Sequence, residues 1–170
     1  MDADWSVELG AEDPVVEVPW ASPDGSLRFV DLRAHSEHID GLEEVQRYPE
    51  LAEFLRTINR ASSKLASVKC DVWESTKIEP AEEILGGSHK VESYCDVIAL
   101  DGEARRSFTG HEKFVRRLSE LLQNGPDIPA RVEFVVRRAD FRESIRAWPR
   151  QPERPQTQMR VNSPRTTGSP

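Results

Sequence analysis

Long apolar runs are missing from this chain. A membrane-spanning helix needs roughly 18 or more consecutive apolar residues, and no segment approaches that, so an integral helical membrane protein is not expected. Cysteine is scarce as well. Cys70 and Cys95 are the only two in 170 residues and share no metal-type spacing, which excludes a disulfide scaffold and fits a reducing compartment. The chain also lacks a Gly-rich dinucleotide fingerprint, a P-loop, a nucleophile elbow and a zinc-protease helix. No motif therefore gives a positive reason to propose an enzyme. The start, Met1-Asp2-Ala3-Asp4-Trp5, is acidic where a secretory signal is basic and then apolar, so a cytoplasmic protein is expected.

What is present is charge. Charged residues make up 31% of the chain and hydrophobic ones 37%, with a mean hydropathy of −0.60. This fits a soluble domain with a modest core. The net charge of −7 is unevenly spread. Residues 142–170 carry six arginines against Glu143 and Glu153, a balance of +4; taking these from 23 basic and 30 acidic residues leaves 17 and 28 in residues 1–141, a balance of −11. An acidic body repels phosphate backbones and is a poor general nucleic-acid binder.

Along the chain, "VVEVPW" at 15–20, "ASPDGS" and "LRFVDL" at 27–32 read as a β-hairpin turned by Pro23-Asp24-Gly25. Trp20 and Phe29 are then near neighbours. Leu51, Phe54, Leu55 and Ile58 share one helical face, predicting a helix over 49–60 with Pro49 in its first turn; Asp40 and Glu43 suggest a capping box for a less regular piece before it. A second helix is predicted over 110–123, with Thr109 and Glu112 as capping box and Phe114, Leu118, Leu121 and Leu122 as buried stripe. Residues 131–141 read as a strand with Val132, Phe134 and Val136 on one face.

The two copies of Cys-Asp-Val, in "KCDVWES" at 69–75 and "SYCDVIAL" at 93–100, predict an antiparallel pair. With Cys70 opposite Cys95, Val68 meets Val97, Ala66 meets Ala99 and Val72 meets Ser93 on one face. On the other, Lys69 meets Asp96, Asp71 meets Tyr94 and Trp73 meets Glu92. A one-residue slip would destroy both sets. The outward group, Lys69, Asp71, Trp73, Tyr94 and Asp96, is the candidate interaction surface.

Other chemistry has simpler readings. Cys70 and Cys95 could form a cross-strand disulfide, but buried free thiols explain them. His35 and His38 are spaced i, i+3, yet the cysteines that would complete a zinc set stand far off, so solvent-facing histidines and no metal are expected. Ser88 and His89 in "GGSHK" are adjacent and should point to opposite faces of a strand, unable to share a proton. An enzyme, were there one, would draw on Asp71, Asp96, His111 or Cys95. No cofactor is expected.

Residues 145–170 hold five prolines and five arginines with few aliphatic residues, and read as a disordered arm. Such crowding of Arg, Pro, Ser, Thr and Gln is also what a shifted reading frame of a GC-rich gene gives. A flexible basic arm could bind nucleic acid by itself.

The stretches "WASPDGSLRFVDLR", "RYPELAEFL", "KCDVWES" and "VEFVVRRADF" together resemble a family of uncharacterised bacterial proteins of somewhat greater length. The resemblance covers residues 1–141 and carries no known activity or site residues. It implies a further aromatic-rich strand and a closing helix after 141, where this chain has its Arg/Pro-rich tail instead.

The element order argues an α+β, two-layer domain over 1–141: a largely antiparallel sheet with both helices packed on one face, and a disordered tail over 142–170. A sheet split into the N-terminal hairpin and a separate unit is the alternative. The expected function is binding of another protein, in the manner of chaperone-like or immunity-type modules. An enzyme of unknown class and nucleic-acid binding through the tail stand as alternatives.

Overall fold

The computed structural model describes residues 1–78 and 88–141 in full and the backbone of 154–165. The fold is α+β. Strands β1 (Asp2–Glu8) and β2 (Val15–Val18) come first, then helices α1 (Glu43–Arg47) and α2 (Glu50–Asn59). Strands β3 (Leu65–Ser75) and β4 (His89–Ala99), helix α3 (Phe108–Gln123) and strands β5 (Arg131–Phe141) and β6 (Arg154–Arg165) complete it. The sheet order is β1-β5-β6-β4-β3, with β2 also on β5. The β3–β4, β4–β6 and β5–β6 pairs are antiparallel, whereas β1 and β2 run parallel to β5, end to end along it.

Cys70, Cys95, Met159, Phe134 and Trp5 stand in one row across the sheet, each in register with the next. Residues so aligned share a face. At one end of the row Cys70 packs beside Leu55 and Ala52 of α2; at the other, Phe134 and Trp5 pack beside Val115 of α3. Both helices therefore cover the same face, as the sequence implies. Val115, Phe134 and Val136 are at most 2% exposed, and full burial of such side chains stabilises by roughly 1.5–3 kcal/mol each.

The β3–β4 register is the predicted one from Lys69 to Ser75, with Cys70 opposite Cys95, Asp71 opposite Tyr94 and Trp73 opposite Glu92. Before Lys69 it departs. Val68 is an extra residue in a bulge, so Ser67 meets Val97, Ala66 meets Ile98 and Leu65 meets Ala99. The cause sits at the end of α2. Asn59, buried there, accepts a hydrogen bond from the Ser67 amide at 3.0 Å and donates to Ser67 Oγ at 2.8 Å and to the Leu55 carbonyl at 2.9 Å. A side chain that holds the strand backbone re-aims it, as bulges do, and Ala66 moves to the face away from the helices.

The N-terminal hairpin forms only in part. Its turn is present, with Gly25 at φ 71° and an Ala21–Arg28 bridge, but residues 27–32 make no strand. The first arm pairs instead with β5, because Val16 and Val18 bury more surface beside Ala66, Ile98 and Ala139 than a lone hairpin could. Strand β1 was not legible in the sequence.

Helix α3 is capped by Ser107, whose Oγ accepts from the Gly110 amide at 3.0 Å, not by the Thr109–Glu112 box. A side chain at Gly110 would approach Ser107 Oγ to 3.2 Å, so the cap favours glycine there. The buried stripe is also rotated: Val115 and His111 lie inside, while Phe114 and Leu121 are exposed. Nor does Asp40 cap α1, whose N-cap Leu42 makes no side-chain bond.

Within the stretch read as disordered, Arg154–Arg165 forms strand β6 between β4 and β5. Its doubly paired part runs from Thr157 to Asn162 and contains no proline. Pro155 pairs only toward β5 and Pro164 only toward β4, where a missing N–H costs the ladder least. The remaining tail residues, and residues 79–87, lie outside the described residues.

Candidate functional site

The face away from the helices is not flat. At one end of the sheet Val16, Val18, Ala66, Ile98 and Ala139 form a small core roofed by Phe29. This core fixes the chain from β2 to Phe29 as a wall above the sheet; the Phe29 amide donates to the Trp20 carbonyl at 2.9 Å. Between this wall and strands β3, β4 and β5 lies a concavity of about 910 Å³. Of the predicted surface residues, Lys69, Trp73, Tyr94 and Asp96 all line it.

Its aromatic part is built around Lys69. The ammonium of Lys69 lies 4.5 Å from the centre of the Trp20 ring and 5.3 Å from that of Tyr94. Tyr94 in turn meets Trp73 edge to face, with centroids 6.2 Å apart. Trp73 is 39% exposed, and its indole N–H donates to Glu92 at 3.0 Å. Lys90, buried at the same strand end, pairs with the other Glu92 oxygen at 3.2 Å. Trp73 is thus fixed in orientation while one side stays open to solvent.

The remaining walls carry charge. Glu17, Glu133 and Asp96 supply carboxylates, and Arg131 and Arg137 supply guanidinium groups. Both arginines already face acids of β1: Arg137 pairs with Glu8 at 2.6 Å and Arg131 approaches Asp2 at 3.9 Å. Their positive charge is therefore matched locally. Asp71 points to the same face but stands exposed beyond the lining, its carboxylate accepting from the Val72 amide at 2.8 Å. Burial, with Asp96 and Asp71 nearby, pushes the Tyr94 phenol well above its ordinary value, so it stays a neutral hydroxyl.

The four groups offered for catalysis are not brought together. Asp71 and Asp96 belong to the outer face, Cys95 to the helix face, and His111 to α3 on that same covered side. Burial, with Glu44 beside it, raises the Cys70 thiol to about 12, and burial alone is the chief cause that raises Cys95 far above its usual range. Both are free thiols despite their direct opposition. Desolvation lowers His111, opposed in part by a hydrogen bond that its ring donates to the Arg105 backbone, and favours its neutral imidazole.

One expectation fails at Ser88 and His89. Ser88 Oγ lies 3.1 Å from His89 Nδ1, because Ser88 sits on the bend before β4, where strand alternation has not begun. The contact is between neighbours on the surface.

Trp20 is the site residue that sequence reading placed only on a hairpin. Its signal was present in the turn chemistry that brings Phe29 back to it. The acid–arginine matching across β1 and β5 had none, since β1 itself was not seen.

Comparison of the chain with protein-family models, curated proteins and solved structures gives no match.

Proposed function

We propose that this protein works by binding another protein, and that the concave outer face receives a basic, Lys- or Arg-bearing segment of that partner. One observation carries the reading: an ammonium group, that of Lys69, already rests on the Trp20 and Tyr94 rings at the floor of the hollow. Cation–aromatic contacts of this kind contribute about 0.5–1 kcal/mol at exposed sites and more when dry. Trp73 presents a further indole beside it, and carboxylates of Glu17, Glu133 and Asp96 stand on the walls. Rigid aromatic anchors in a hollow are the common hot spots of protein interfaces.

Charge supports the choice of partner. The net charge of −7 over the whole chain attracts basic segments and opposes a phosphate backbone. The volume of about 910 Å³ sits at the upper end of what small-molecule pockets span, and its open side suits an extended chain. A binding module of the chaperone-like or immunity type is consistent with these features.

The test compares full-length protein with a Trp73→Ala/Tyr94→Ala variant as bait in cell lysate, after circular dichroism shows both to be folded. A partner recovered in stoichiometric amount by the first and lost from the second, whose contact segment is rich in Lys or Arg, is the expected result. Equal recovery of the same proteins by both would overturn the reading.

A further inference from the structure

Away from the groove, the turn that leads into α1 gathers three metal-ligating side chains. His35, Glu37 and His38 offer ligand atoms that all lie within 4.8 Å of one another. His35 Nδ1 is 3.2 Å from Glu37 Oε1, and His38 Nε2 is 4.0 Å from the same oxygen. The two imidazoles stand edge to face with centroids 5.7 Å apart. Glu37 thus lies between the two rings.

The backbone beneath them is held. The His35 amide donates to the Asp31 carbonyl at 2.9 Å and the His38 amide to the His35 carbonyl at 3.1 Å. Asp31 also accepts from the Arg33 and Ala34 amides. Ile39, next in sequence, is fully buried in the core around α2. Three donors on a fixed turn lose little backbone freedom when a ligand arrives.

We propose that His35, Glu37 and His38 form a surface site for a first-row divalent cation, zinc in the first instance. Two imidazole nitrogens and one carboxylate oxygen are a donor set suited to Zn²⁺, Cu²⁺ or Ni²⁺. Bonds of about 2.0–2.2 Å to a common ion in tetrahedral geometry require the donors to close by up to about 1.5 Å, within the reach of side-chain rotation. The exposed side leaves the remaining coordination positions to water. Magnesium and calcium, which prefer oxygen donors, are poorly matched. The sequence spacing hinted at this pair of histidines but counted the cysteines as their partners. Cys70 and Cys95 instead belong to the sheet, and Glu37 is the third ligand.

Isothermal titration of full-length, tag-free protein with zinc chloride tests the site. One zinc per chain is expected, with a dissociation constant in the micromolar range, weakened at least tenfold in His35→Ala and again in His38→Ala. X-ray absorption at the zinc edge should show two imidazole ligands, and a Glu37→Gln variant should bind more weakly with both imidazoles retained. Failure to bind, or binding that survives loss of both histidines, would overturn the proposal. Because these residues are exposed, the variants are expected to melt within a degree or two of the parent without metal, which separates lost ligation from lost folding.

Discussion

Lys69 and Trp20 meet with the ammonium 4.5 Å from the ring centre, joining strand β3 to the wall that β2 and its following turn raise above the sheet. This contact organises the hollow. A Lys69→Met variant keeps the apolar stem and removes the charge. It is expected to lose about 0.5–1 kcal/mol of stability, read as a lower urea midpoint at unchanged slope. An unchanged or higher midpoint would show that the two groups do not hold the wall.

Asn59 fixes the bulge that turns Ala66 toward the outer core. Replacing it by alanine leaves the Ser67 amide and hydroxyl buried without the bonds that Asn59 supplies, and an unsatisfied buried polar group costs roughly 1–3 kcal/mol. Asn59→Ala is expected to destabilise by about 2–4 kcal/mol, with backbone amide shifts centred on Ser67 and Val68. A loss below about 0.5 kcal/mol would place the origin of the bulge elsewhere.

His111 makes stability depend on pH. Its folded-state pKa lies below the unfolded value, so between the two the unfolded chain holds more protons. Stability is then fully present above about pH 6.5, the ordinary histidine value, and falls as pH drops below it. A His111→Gln variant should flatten this part of the profile by up to one proton per molecule, measured by urea unfolding between pH 5 and 8. An equal slope in both proteins would contradict the assignment.

Both thiols should be inert in the native protein. With Cys70 raised to about 12 and Cys95 raised well above its usual range, little thiolate exists at pH 8, and the thiolate is the reactive form. Ellman's reagent is expected to label neither cysteine over minutes in buffer and both in guanidinium chloride. Rapid native labelling of either one would mean that its site is open.

The amides of β6 report on its place in the sheet. Thr157 to Asn162 lie between two partner strands, while Arg154–Gln156 and Ser163–Arg165 pair on one side only. Hydrogen exchange should therefore be slowest over 157–162. Exchange there as fast as in a free peptide would remove the strand from the sheet.

Periodicity carried most of what the sequence disclosed. The row of matched pairs from Lys69 to Ser75 against Lys90 to Asp96 is encoded in alternation, since each residue type suits the face it reaches. The same rule failed at Val68, where a side chain from a different element overrides local pairing, and no local pattern announces Asn59. It failed also for β1, whose parallel partner lies at the far end of the chain. Strand β6 alternates in "TQMRVN", but the surrounding prolines and arginines hid those six residues. For the site, Lys69, Trp73, Tyr94 and Asp96 were legible because one strand pair presents them, whereas the wall that makes a hollow of them depends on β2 leaving its hairpin for β5.

The groove itself is tested most directly by nuclear magnetic resonance of the tryptophan indoles in the full-length chain, titrated with a Lys/Arg-rich nonapeptide and with its Asp/Glu counterpart. Trp20 and Trp73 line the hollow, while Trp5 packs under α3 on the opposite face and serves as an internal reference. Saturable shifts of the Trp20 and Trp73 signals with the basic peptide, a still Trp5, little response to the acidic peptide, and at least tenfold weaker binding in Tyr94→Ala are the expected result. Shifts of Trp5 alone, equal response to both peptides, or no response at all would contradict a basic partner at this face.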